Sequence, residues 1–134
     1  MVIDSSAILA VLFREPEAGA IEICLETAQD RLISAVTRVE LALVVEGRKG
    51  EAGRRDLEDL LHQIDPDIVA VTALHAELAI DGFRRFGKGR HRAALNIGDC
   101  FSYALARASN QPLLFKGDDF IHTDIASALA RPGS

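Results

Sequence analysis

A chain of 134 residues, 49% hydrophobic and 26% charged, has the make-up of one soluble globular domain over 1–134. It is long enough to bury about 70% of its unfolded surface without staples. A net charge of −5 and a pI near 5.3 exclude a protein that coats nucleic acid by bulk attraction, so any RNA or DNA contact must be local. No run approaches the roughly 18 apolar residues of a membrane span, and no basic-then-apolar leader precedes Asp4, so no membrane contact and a cytoplasmic location are expected.

Met1-Val2-Ile3 predicts a short buried strand that stops at Asp4, with Ser5 and Ser6 capping a helix from Ala7. Glu15-Pro16-Glu17 reads as a break with proline in the first turn of a second helix, in which Ala18, Ile21, Leu25 and Ala28 recur at helical spacing. A second strand follows at 31–34. Thr37-Arg38-Val39-Glu40 opens a helix that runs to Gly47 or Gly50, and Gly47, Gly50 and Gly53 punctuate the turn into a helix with Leu57, Leu60, Leu61 and Ile64 on its apolar face.

Pro66 ends that helix before a third strand at 67–71. Thr72 caps a helix with Ala76, Ala79, Ile80 and Phe83 on one face. A basic loop, a helix over about 98–109 and a strand at 113–116 come next, and Thr123-Asp124-Ile125 is a candidate edge strand. Short strands alternating with longer helices predict an α/β fold: one three-layer α/β/α domain around a mainly parallel sheet. The apolar share leaves room for a patch that meets another chain. Cys24 and Cys100 read as buried free thiols, and His62, His75, His91 and His122 lack zinc-type spacing.

Parallel strands end on one edge of their sheet, so Asp4 after the first strand and Asp118 or Asp119 after the last can share a crevice. Advancing about 100° per residue places Glu40 with Val36, Val39, Leu43 and Val44, inside an apolar stripe where a carboxylate needs a cationic partner. A capping box with Thr37 is the competing role for Glu40. Asp99 opens a helix, where a negative charge is favourable in any case. Gathered in one cavity, Asp4, Glu40, Asp99 and Asp119 would repel unless a divalent cation sat among them, and an all-carboxylate site suits Mg²⁺ or Mn²⁺. Such a site activates water for phosphodiester hydrolysis.

Arg84 to Arg92 carries six basic residues in nine. Lys88, Arg90, His91 and Arg92 are therefore candidate RNA contacts, with Gly87 and Gly89 admitting close backbone approach and Phe86 available to stack on a base.

Val2-Ile3-Asp4-Ser5-Ser6-Ala7, Glu40, the run from Gly87 to Cys100 and Leu113-Leu114-Phe115-Lys116-Gly117-Asp118-Asp119-Phe120 together make the chain resemble a PIN-domain ribonuclease of the VapC type, the toxin half of a type II toxin–antitoxin pair. The resemblance implies metal-binding acids at Asp4, Glu40, Asp99 and Asp119, with Asp118 the neighbouring acid. It implies a supporting role for Ser6 in orienting metal-bound water. It also implies a VapB antitoxin, a toxin homodimer, a tRNA or rRNA substrate, and contact with operator DNA only through the antitoxin. Two other readings stay open: a Mg²⁺-dependent phosphatase or phosphotransferase with Asp4 as nucleophile, and an inactive module that serves only in the antitoxin complex on DNA.

Overall fold

A computed structural model describes residues 1–129. Four very short strands, β1 (Val2–Ile3), β2 (Leu32–Ser34), β3 (Asp67–Val69) and β4 (Leu113–Leu114), form one sheet in the order β3-β2-β1-β4. Every pairing is parallel, with Val2 opposite both Leu32 and Leu113, and Ile3 opposite Leu114. The helices are α1 (Ser5–Leu12), α2 (Ala18–Thr27), α3 (Ala35–Ile64), α4 (Ala73–Phe86) and α5 (Ile97–Ser109).

Strands of two or three residues cannot hold a sheet by hydrogen bonding alone; burial on both faces holds β1, β2 and β4, while β3 is an exposed edge. Successive side chains of β1 point to opposite sides. Ile3, with Ile33 and Leu114, packs against Ile8, Ile21 and Leu41 from α1, α2 and α3. Val2, with Leu113 and Phe115, packs against Ala79, Tyr103 and Ala104 from α4 and α5. Each enclosed Ile or Leu contributes about 1.5–3 kcal/mol, which explains how β1 survives at two residues. The expected three layers are therefore present, and Cys100 is buried while Cys24 is half-buried.

Chain order places the crevice. From β1 the chain steps through β2 to β3 on one side, then crosses back to β4 on the other side of β1. That reversal is a topological switch point, and the C-terminal ends of β1 and β4 flank it.

Several local expectations are corrected. Ser5 and Ser6 do not cap α1; Asp4 does, its Oδ2 accepting from Ser6 N at 3.1 Å. Pro16 lies ahead of α2 rather than in its first turn, and Glu17 is the N-cap. The helix expected from Thr37 begins two residues earlier, capped by Ser34, and runs on through Gly47 and Gly53. Gly50 alone interrupts it, at φ 59° and ψ −145°, a backbone that glycine tolerates at least cost. On α4 the buried positions are His75, Ala79 and Gly82, whereas Ile80 and Phe83 are exposed. Residues 123–125 are not a strand: a 3₁₀ turn, Phe120–His122, precedes them, and the edge contact is a single bridge between Leu113 and Ser127.

Candidate active site

Asp4 is pinned at the switch point. Its backbone N–H donates to Leu114 O at 2.9 Å, and its side chain is only 2% exposed. Oδ2 accepts from Ser6 N, and Oδ1 accepts from the Ser102 hydroxyl at 2.6 Å. Ser102 in turn lies 3.3 Å from Thr37 Oγ1, and both hydroxyls are fully buried. The Ser6 hydroxyl accepts from Lys116 N at 3.0 Å, tying the start of α1 to the chain after β4 and leaving its own proton free to donate.

Glu40 lies in the second turn of α3, too far from Ser34 for the capping box considered with Thr37. The expected stripe also faces differently. Thr37, Leu41 and Val45 are the buried positions, while Val39 and Leu43 are 58% and 68% exposed. Glu40 thus sits at the border between core and an exposed apolar strip. Burial pushes its carboxyl up, the Ser5 hydroxyl favours the ionised form, and Asp4 pushes it up again.

Asp99 holds the capping box of the molecule. Its Oδ2 accepts from Asn96 N at 3.0 Å while its own N–H donates to Asn96 Oδ1 at 2.8 Å. Burial raises its carboxyl to about 7, helped by the charges of Asp4, Asp119 and Glu40 and opposed by the Asn96 N–H. Asp119, at the head of the 3₁₀ turn, therefore acts on Asp99, whereas Asp118 is an exposed neighbour that is not among the charges acting there. Gly98 explains the approach of Glu40: a Cβ at this buried position would fall on the Glu40 carboxylate.

Among the described residues, none of the four acids enters an ion pair, although five ion pairs form elsewhere. The cation that Glu40 was expected to need is not supplied by a basic side chain. The donor chemistry suits a hard divalent cation, and the cradle left by Gly98 gives Glu40 room in the crevice. Among the described residues, however, no three His, Cys, Asp or Glu side chains converge closely enough to hold an ion as they stand.

The basic run is partly committed to structure. Arg85 binds Asp81 at 3.5 Å and Asp124 at 3.3 Å, and donates to Tyr103 Oη at 3.2 Å. Phe86 is not available for stacking on a base: it packs edge-on against Tyr103 and His91, with ring centroids 5.8 and 5.2 Å away. Gly87 is needed for packing, because a Cβ there would strike Phe83, whereas Gly89 has φ 83° and open space around it. His91 Nδ1 accepts from Ala93 N at 3.1 Å, and the Arg90 guanidinium lies 5.5 Å over the Phe83 ring. Lys88 and Arg92 are exposed and enter no ion pair among the described residues.

Ser102, the partner of Asp4, and Thr37, the partner of Ser102, were not singled out as site residues from sequence. Ser102 stands three residues after Asp99, hence on a neighbouring face of α5, and is a polar residue within the apolar run Cys100-Phe101-Ser102-Tyr103-Ala104. Thr37 was read only as a possible cap. A buried hydroxyl must find a partner, and that was the available signal.

An α/β fold with Asp4 at its switch point, and with Asp4, Glu40 and Asp119 acting on Asp99 beside it, defines a class, and the comparisons name it. The PIN domain family matches residues 1–126. Ribonuclease VapC30 of Mycobacterium tuberculosis is 54% identical over 127 residues, covering 95% of this chain and 97% of that protein. Ribonuclease VapC of Mycolicibacterium smegmatis is 50% identical over 127 residues, covering 95% and 98%. Among solved structures, the sarcin–ricin loop cleaving toxin VapC20 of Mycobacterium tuberculosis has the same fold, with a TM-score of 0.77 at 15% identity over 96% of this chain and 98% of that one. VapBC2 of Rickettsia felis, bound to a fragment of its promoter DNA, matches with a TM-score of 0.68 at 16% identity over 94% of each chain. The chain belongs to the PIN-domain family and, within it, to the VapC-type ribonucleases.

Proposed function

We propose that the protein is a Mg²⁺- or Mn²⁺-dependent endoribonuclease, the toxin of a VapBC pair, and that Asp4, Glu40, Asp99 and Asp119 are its metal-binding acids. The observation that carries this reading is the state of Asp99, whose carboxyl is held near 7 by burial and by the other three acids, with no basic side chain paired to it among the described residues. Perturbed acids in a crevice mark chemistry rather than packing. When bound, a divalent ion supplies Lewis-acid activation of water and neutralises charge on the phosphodiester.

The chain's own residues do the rest. Asp4 and Asp99 each have an oxygen fixed by a backbone N–H, which holds both carboxylates toward the crevice. Ser6 has a free hydroxyl proton with which to orient water or a phosphate oxygen beside Asp4. Lys88, Arg90, His91 and Arg92 form the candidate RNA-contacting loop, with Lys88 and Arg92 the members least committed elsewhere. Asp4 is followed by Ser5 and Ser6 rather than by the second acid that an aspartyl-phosphate enzyme places one or two residues on. That weakens the phosphotransferase alternative, and the presence of all four acids weakens the inactive-module alternative.

Partners follow the same reading. The exposed strip of Val39 and Leu43 beside Glu40 suits an apolar segment of a VapB antitoxin, through which operator DNA would be reached. A groove of about 530 Å³ between α4 and α5, lined by Ala76, Ile80, Phe83, Ile97 and Phe101, suits a second copy of the chain. Ile97, 77% exposed, lies two residues before Asp99, so pairing there would bring two sites together. No helix among the described residues is long and apolar enough to cross a membrane, consistent with action on cytoplasmic RNA, tRNA or rRNA. Incubating purified protein with RNA and Mg²⁺ tests the reading: native protein cleaves internally, Asp99→Ala does not, and equal cleavage by both would refute it.

A further inference from the structure

Behind the acids lies a buried pair of hydroxyls that the proposed reaction does not use. Thr37 comes from the first turn of α3 and Ser102 from α5, and both side chains are fully buried beneath Asp4. A hydroxyl has one proton. Ser102 donates to Asp4 Oδ1 at 2.6 Å, so its one proton is committed to Asp4. The 3.3 Å contact with Thr37 then has one direction: Thr37 donates to Ser102 Oγ.

The result is an ordered chain, Thr37 to Ser102 to Asp4, that joins two helices to the end of β1. Ser6 N fixes the other oxygen of Asp4. With Oδ1 held from below by Ser102 and Oδ2 held by the backbone, rotation about the Asp4 side chain is blocked, and the remaining lone pairs keep one direction. A carboxylate held by the backbone bond alone retains that rotation.

We propose that Ser102, locked by Thr37, is the positioning residue for Asp4, fixing the carboxylate in the orientation in which it receives a divalent cation. The inference rests on the metal-dependent reading above. Groups that orient a ligating side chain set affinity without touching the ion, and their removal weakens metal binding by about 10–100-fold.

The test is calorimetric titration of the purified full chain with Mn²⁺ alone, beside melting temperatures in EDTA. Ser102→Ala weakens Mn²⁺ affinity by about tenfold or more at unchanged stoichiometry. Thr37→Val, which keeps shape and removes the donor, weakens it by a smaller factor, and Thr37→Ser restores native affinity. Native affinity in Ser102→Ala overturns the inference, and so does native affinity with fewer sites per chain, which marks a folding defect. Should Ser102→Ala fail to fold, the contrast between Thr37→Val and Thr37→Ser decides, and equal affinity in those two overturns it. Native protein that binds no Mn²⁺ refutes the metal-dependent reading itself and removes this inference with it.

Discussion

Asp99→Asn should make the metal-free protein more stable at pH 8 while removing its ability to hold a cation. The Asp99 carboxyl is raised from 3.8 to about 7, mainly by burial. Between those values the folded chain binds a proton that the unfolded chain has released, so stability falls as pH rises through this window and levels off above about 7. Each pH unit of the interval corresponds to about 1.4 kcal/mol, or about 4 kcal/mol for a fully enclosed group. Asp99 keeps partial access to water, and screening reduces the expected cost to about 1–2 kcal/mol. Asparagine removes the charge while its carbonyl oxygen still accepts from Asn96 N, so the capping bond survives. For a domain of this size the gain reads as a melting temperature higher by about 4–8 °C. The assay is thermal unfolding in EDTA from pH 4 to pH 8.5: the native and Asp99→Asn curves should meet near pH 4 and separate toward pH 8. Added Mn²⁺ should then stabilise the native protein and not the variant. A difference between the two proteins that does not depend on pH, or a less stable variant at pH 8, would refute the reasoning.

Asp4→Asn should lower RNA cleavage by on the order of a hundredfold or more, measured as initial rates on one RNA with Mg²⁺. Gly98→Ala places a methyl on the Glu40 carboxylate, the movable end of a flexible side chain, so it should displace Glu40 and weaken Mn²⁺ binding at little cost in urea unfolding; unchanged Mn²⁺ affinity would remove the cradle from the account. Gly50→Ala should cost about 1–3 kcal/mol through backbone strain alone, with cleavage retained, since φ 59° and ψ −145° disfavours any side chain while nothing lies within 4 Å to clash. If the proposed pairing through the α4–α5 groove forms, native protein should sediment as a dimer and Ile80→Glu combined with Phe83→Glu as a monomer; a monomeric native protein, or a dimer unaffected by both charges, would refute that pairing.

How much of this was legible in the chain depends on the range of the interaction concerned. The α/β class and the parallel order follow from apolar runs of three or four residues between helical periods, because burial on both faces is written locally as Val2-Ile3, Leu32-Ile33 and Leu113-Leu114. Helix orientation is not written locally. The stripe of Val36, Val39, Leu43 and Val44 gives a period without saying which apolar side meets the core, and the side carrying Thr37, Leu41 and Val45 took that place. Phe86 and Arg85 illustrate the same limit: a basic, aromatic run reads as a nucleic-acid loop until Tyr103, seventeen and eighteen residues away, takes both side chains. Gly98 could not be read for its contact with Glu40, since a missing Cβ reports on a neighbour fifty-eight positions earlier.

For the acids, capping and metal binding looked like rival explanations from sequence, and the geometry makes the proposed metal role compatible with capping. Asp4 caps α1, Asp99 sits in the capping box of α5, and Asp119 heads the 3₁₀ turn, so three of the four carboxylates stand where a helical segment begins. At the first two, a backbone N–H holds one carboxylate oxygen and fixes the side chain at little entropic cost. The positive end of α5 also favours a negative charge at Asp99, offsetting part of the repulsion from its acidic neighbours. Glu40 has no such cap. It depends on the Ser5 hydroxyl and on the space at Gly98, and its carboxyl is pushed up by burial. The cap positions are thus the means by which this fold brings like charges to one crevice, and the capping bonds at Asp4 and Asp99 are part of the candidate site rather than an alternative to it.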